Sequence, residues 1–141
     1  EGSAGGALCA EGRAFLTGAL AAAAGRPVLV ALHHPPFATG IGFMDDIALA
    51  DPGSLVALLG AHDGPLRVIC GHVHRMIAGT AGRHAALIAP STAHAIAPDL
   101  RADAPVGFVE EPGGFMLHEW TAGAWRSTLV GITRPEGPFP F

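Results

Sequence analysis

Apolar residues fall along this chain in short blocks whose spacing alternates between helix-like and strand-like. Between Glu11 and Ala24 they recur with helical spacing, which puts Phe15, Leu16, Ala19 and Leu20 on one face. Gly25 and Pro27 supply the stop. Val28 to Leu32 is continuously apolar, the pattern of a short strand covered on both faces. Asp51-Pro52 opens a second helix, with Asp as N-cap and Pro at the first helical position. Leu55, Val56, Leu58 and Leu59 give that helix its apolar face. Leu66 to Cys70 reads as another strand, so strand, helix and strand form a parallel βαβ unit and the fold class is α/β.

The pattern changes after His74. Met76–Thr80 and His84–Ala89 flank Ala81-Gly82-Arg83 as a hairpin. Val106–Glu110, Gly114–Trp120 and Ala124–Ile132 read as further strands. Residues 1–7 are small and read as a loose lead-in, and the proline-rich tail Arg134–Phe141 reads as extended. The stretch from His33 to Asp51 reads as one long loop, and loops of that length in a compact domain are usually functional.

Composition sharpens this picture. The 141 residues suit one domain, 1–141. Only 14% are charged, against the usual quarter or so, which predicts apolar surface covered by another chain or by a missing part of this one. A net charge of −4 and scattered arginines argue against a nucleic-acid groove. No apolar run approaches the ~20 residues of a membrane span, and no signal-like start is present. Two cysteines build no disulfide framework; Cys70 reads as a buried free thiol and the reading is cytoplasmic. Lys, Asn, Gln and Tyr are absent, so none of them can act as ligand, base or acid here.

The chemistry concentrates in His33-His34-Pro35-Pro36 and Gly71-His72-Val73-His74, each directly after a strand. Parallel strands deliver the residues at their C-terminal ends to one sheet edge, so four of the eight histidines converge there. Gly71 is expected to provide the sharp backbone turn. Imidazole nitrogens suit Zn, Fe, Mn and Co alike. His33, His72 and His74 are the metal-ligand candidates. His34 would face away on an extended backbone, which suggests a role behind a ligand or toward substrate. Arg75 suits a phosphate or a surface ion pair, and Asp45 a substrate contact or a loop brace. His94 and His118 read as structural, His62 and His84 as exposed. Trp120, Trp125, Phe108 and Phe115 read as core or subunit-contact residues.

Leu32-His33-His34-Pro35-Pro36-Phe37, Gly42-Phe43-Met44-Asp45 and Cys70-Gly71-His72-Val73-His74-Arg75 together resemble the second half of the calcineurin-like metallophosphoesterase family. The branch they are most similar to is the class III cyclic-nucleotide and glycerophosphodiester phosphodiesterases. Ala89–His94 and Phe115–His118 resemble the same branch, and the likeness covers residues 26–132.

The resemblance implies the C-terminal half of a four-layer α/β/β/α sandwich with two divalent metals (Fe, Mn, Zn or Co). It implies His33 and His72 on one metal and His74 on the other. It also implies a metal-bridged hydroxide attacking the phosphorus of a small-molecule phosphodiester. The family's Asp-x-His, Gly-Asp and Gly-Asn-His motifs are not in this sequence. The chain is therefore expected to need an N-terminal half or a partner chain. Residues 106–132 offer strands for a homo-oligomer. Two alternatives remain open: a non-catalytic metal-binding remnant or subunit, and a family member acting on phosphoproteins or lipid pyrophosphates. With half the ligands missing, the purified 141-residue chain should show negligible turnover of bis-p-nitrophenyl phosphate with added Mn, Fe, Zn or Co; metal-dependent turnover free of contaminants would refute this.

Overall fold

The computed structural model describes residues 4–133 together with 137, 139 and 140. Most of the tail expected to be extended lies outside those residues, as does the start of the lead-in. The architecture is mixed α/β. The first helix, α1 (Ala10–Ala23), is capped by the Cys9 side chain, which accepts from the Gly12 N–H. It ends at Ala24 in the left-handed region, φ 48°.

A four-stranded sheet comes next in the order β1-β2-β4-β3, from β1 (Val28–Leu32), β2 (Leu66–Cys70), β3 (Ile77–Ala81) and β4 (His84–Ile88). β1 and β2 pair in parallel from Val28↔Leu66 to Leu32↔Cys70. β4 also runs parallel to β2, while β3 folds back on β4 through Gly82-Arg83. The expected hairpin and βαβ unit are both present.

Between β1 and β2 lie a short helix, α2 (Gly42–Asp45), and α3 (Pro52–Gly60). Asp51 caps α3 by accepting from the Ser54 N–H at 3.1 Å, with Pro52 in the first turn, as the sequence predicts. Residues 33–51 are not one open loop. α2 buries Met44, and Gly6 bridges Leu49, so the lead-in is fastened too: the Gly6 N–H donates to the Ala48 carbonyl at 3.0 Å.

The core sits where the helices cover one face of the sheet. Leu55 and Leu59 of α3 meet Leu66, Val68 and Cys70 of β2 and Ala86 and Ile88 of β4, with Leu20, Ile41 and Met44 around them. Burial raises the Cys70 thiol to about 12, which makes it inert. The opposite face is only partly covered. A hairpin of β7 (Gly114–Thr121) and β8 (Ala124–Gly131) reaches it through Ser127, which accepts from the Arg67 guanidinium, and through Trp125, whose indole N–H donates to the Pro65 carbonyl at 3.5 Å. A two-residue ladder joins β5 (Ala95–Ile96) to β6 (Phe108–Val109).

One packing expectation needs correction. β1 is covered on one face only, leaving Leu29 40% exposed, because it is a sheet edge and the hairpin lies over β2 instead. The apolar stripe of α1 is closed only in part: Leu20 joins the core and Leu16 packs against it, while Phe15 is 77% exposed beside a cavity of about 500 Å³ that runs along all of β1. Phe108, Phe115 and Trp120 are exposed, which removes the core reading for these three and keeps the subunit-contact one. Leu59, fully enclosed between α3 and the sheet, should carry much of the stability. Leu59→Ala is expected to lower the unfolding free energy by about 2–5 kcal/mol, measured by urea denaturation.

Candidate metal centre

Register sets the site. Leu32 pairs with Cys70, so the next residue of each strand leaves the sheet at the same point, and the Gly71 N–H donates to the His33 carbonyl at 3.0 Å. The rings of His33 and His72 then stand 5.4 Å apart, centroid to centroid. His34 does not face away. The chain leaves β-geometry at His33, strand alternation ends there, and the His34 ring lies 4.8 Å from His33 and 4.5 Å from His72. Each of the three offers one ligand atom, and those atoms lie within 4.8 Å of one another.

His74 stands beside this group. It lies near enough to contribute to the lowered pKa of both His33 and His72, and its own ring lies 4.9 Å from His94, which in turn packs 4.9 Å from Phe108. His94 arrives because β4 is parallel to β2, so the segment after β4 emerges at the same edge, and the Ser91 N–H donates to the His74 carbonyl. Treating β4 only as half of a hairpin hides that second parallel pairing.

The sharp turn is made by the histidines themselves rather than by Gly71. His72 has φ 74° and His74 φ 56°, both left-handed, whereas Gly71 has no such requirement. A Cβ at Gly71 would meet the His33 Nδ1 at an ordinary 3.5 Å. Non-glycine residues held in this region carry strain and cluster at functional sites.

The donor set suits a divalent cation. The His72 Nε2–H donates to the Met44 carbonyl at 3.1 Å and the His34 Nε2–H to the Ala4 carbonyl at 3.2 Å, because a carbonyl can only accept. In the neutral ring that places the proton on Nε2 and leaves the Nδ1 lone pair for a cation. The buried His74 Nδ1 has no hydrogen-bond partner among the described residues. Desolvation, then the neighbouring imidazoles, hold the His33 pKa below its ordinary value. Desolvation also lowers His72, with the Met44 hydrogen bond and the Asp45 carboxylate opposing. Neutral imidazoles are the form that binds a metal.

Asp45 braces the approach. Its carboxylate accepts from the Thr39 N–H and hydroxyl, both at 2.8 Å, and from the Gly40 N–H at 2.9 Å. The Arg75 guanidinium is held by Glu111 at 3.1 Å and by the Ile96 carbonyl at 3.0 Å, with its Nη2 buried and unpartnered among the described residues. His62 and His84 are buried, contrary to expectation: His84 donates to the Leu59 carbonyl and ties α3 to the sheet, and His62 donates to the Arg26 carbonyl and ties the segment after α3 to the turn before β1. His118 shares a 2.7 Å hydrogen bond with the Ser127 hydroxyl.

Similarity to known proteins adds an independent line. A probable glycerophosphodiester phosphodiesterase of Arcobacter nitrofigilis is 40% identical over 118 residues, which is 82% of this chain and 43% of that protein. This chain is homologous, over part of their length, to proteins described as glycerophosphodiester and cyclic nucleotide phosphodiesterases. A probable cyclic nucleotide phosphodiesterase of Rhodopseudomonas palustris is 40% identical over 108 residues, 76% of the chain and 39% of that protein. A glycerophosphodiester phosphodiesterase of Enterobacter lignolyticus is 28% identical over 126 residues, 89% of the chain and 45% of that protein. The chain thus spans about two fifths of the length of these relatives. No protein-family model matches it. Among the described residues, no helix is long and apolar enough to cross a membrane.

His33, His72, His84 and His118 all have pKa values lowered by burial from 6.5. Below that value the unfolded chain binds more protons than the folded one. Their contribution is complete above pH 6.5 and is lost as the pH falls through the lower folded values. The urea midpoint of the metal-free chain should therefore drop between pH 7.5 and 5.5; a flat or rising midpoint would contradict these environments.

Proposed function

We propose that this chain carries the histidine half of a metal-dependent phosphodiester hydrolase acting on cyclic nucleotides or glycerophosphodiesters. The observation that supports it most is the meeting of two strand-end histidine motifs at one sheet edge in a chain homologous to such enzymes. His33, His72 and His74 would hold two divalent cations, Fe, Mn, Zn or Co. Bound there, such ions supply charge stabilisation at the phosphoryl oxygens and lower the pKa of water. The chain's own residues orient and shield. Met44 and Ala4 orient the imidazoles, Asp45 holds the 39–45 loop at the mouth, and Arg75, ion-paired to Glu111, would be the cation for phosphate.

The domain, residues 1–141, is the C-terminal portion of a four-layer sandwich. Among the described residues β1 is an edge strand, bordered by an apolar cavity of about 500 Å³ that reaches His33 and His34. A further strand laid along that edge would end at the histidines and could bring the carboxylate ligands that this cluster lacks. A partner chain would serve equally.

The test is reconstitution. This chain should be joined to the portion of the Arcobacter relative that it does not cover, loaded with Mn or Co, and assayed on bis-p-nitrophenyl phosphate and 3′,5′-cyclic AMP. Metal-dependent hydrolysis, falling at least about a hundredfold in His72→Ala, is expected. A folded, metal-loaded chimera with no turnover would overturn the proposal.

One observation favours a second reading. The three mutually close ligand atoms belong to His33, His34 and His72, a set that can hold one cation by itself. In the remnant reading the isolated chain binds one metal, and His34→Ala weakens it as much as His33→Ala. Binding indifferent to His34 removes this reading.

A further inference from the structure

At the end of the sheet away from the histidine edge, where β2 and β4 begin, a cavity of about 470 Å³ opens between the sheet and the β7–β8 hairpin. Arg67, Arg83 and His84 line it from the sheet side, Trp120 and Trp125 from the hairpin. The two indoles meet edge to face, 5.5 Å between centroids.

Arg67 is the anomaly. Five other arginines reach a carboxylate: Arg13, Arg75, Arg83, Arg101 and Arg126. Arg26 instead donates to the carbonyls of Ala22 and Ala23 at the end of α1. Arg67 has a neutral partner only, the Ser127 hydroxyl, and its Nε is buried with no acceptor among the described residues. The neighbouring His118, whose pKa is lowered by burial and then by the Arg67 charge, offers no negative charge in either protonation state. A half-buried guanidinium is costly unless an anion faces it. Nearby Arg83 adds a second positive charge; its Nη2 donates to the His62 carbonyl at 2.5 Å. Among the described residues Asp63 is the one carboxylate lining the cavity; it sits 3.9 Å from Arg83 with its side chain 98% exposed, so it screens Arg83 weakly and leaves Arg67 without an ion pair there.

We propose that this cavity binds a phosphate-monoester anion carrying a flat ring, of the nucleoside monophosphate class, with Arg67 and Arg83 on the phosphate and the two indoles against the ring. Guanidinium matches phosphate oxygens in geometry and in charge, and indole faces accept planar bases. The site is separate from the histidine edge and stands whether or not the proposed hydrolase function does. The strand between them, Leu66–Cys70, is five residues long, which sets the two ends about 16 Å apart.

The chain holds two tryptophans and no tyrosine, and both tryptophans line this cavity, so indole fluorescence reports on it alone. The experiment titrates the purified chain with adenosine monophosphate in EDTA, which keeps cations from the histidines, exciting at 295 nm. A saturable change is expected, with adenosine binding about tenfold more weakly. Arg67→Met should weaken the nucleotide about tenfold, and Arg101→Ala should leave it unchanged. If Arg67→Met loses its circular dichroism signal, the exposed Arg83→Ala carries the test and should also weaken binding. No saturable response, equal affinity for adenosine, or affinity indifferent to the arginine substitution would each overturn the proposal.

Discussion

The parallel register of β1 on β2 is the constraint on which the rest depends. Leu32 opposite Cys70 means that two sequence-distant motifs leave the sheet at one point, and no long side chain has to reach for the other. A slip of one residue would turn every side chain of β1 to the wrong face. The core prevents that slip, because Val28, Val30 and Leu32 must meet the same helical layer as Val68. Packing beneath the sheet thereby fixes the spacing of imidazoles above its edge.

Those imidazoles sit in an arrangement that costs energy when protonated and becomes favourable when a cation replaces the protons. Burial and mutual proximity both disfavour imidazolium at His33 and His72. Two backbone carbonyls hold the ring orientations of His34 and His72 without adding a negative charge. Asp45, the nearby carboxylate, is engaged with Thr39 and Gly40. The cluster is thus rich in imidazole nitrogen and poor in anionic oxygen, in keeping with a chain that spans about two fifths of its relatives.

Much of this was legible in the sequence, because it rests on local signals. Asp51-Pro52 announces a helix start, Gly82 a tight reversal, and an apolar strand ending in histidines marks a sheet edge. The features that were not legible depend on tertiary context. The inward turn of His34 arises from where β1 ends, and the burial of His62 and His84 from carbonyls 36 and 25 residues away. The exposure of Phe15 and of the hairpin aromatics could not be inferred either. An apolar pattern tells that a face wants cover, while only the folded chain tells which faces receive it.

Two histidines in left-handed backbone geometry, His72 and His74, have a consequence for how the fold and its ligand are coupled. Each conformation costs on the order of 1–3 kcal/mol that the surrounding packing must hold in place. Glycine would suit the backbone better at both positions, so substitution would trade binding power for robustness. An occupant gripping both rings would reinforce the very geometry that the bare polypeptide finds awkward, so occupancy and rigidity at this edge should rise and fall together.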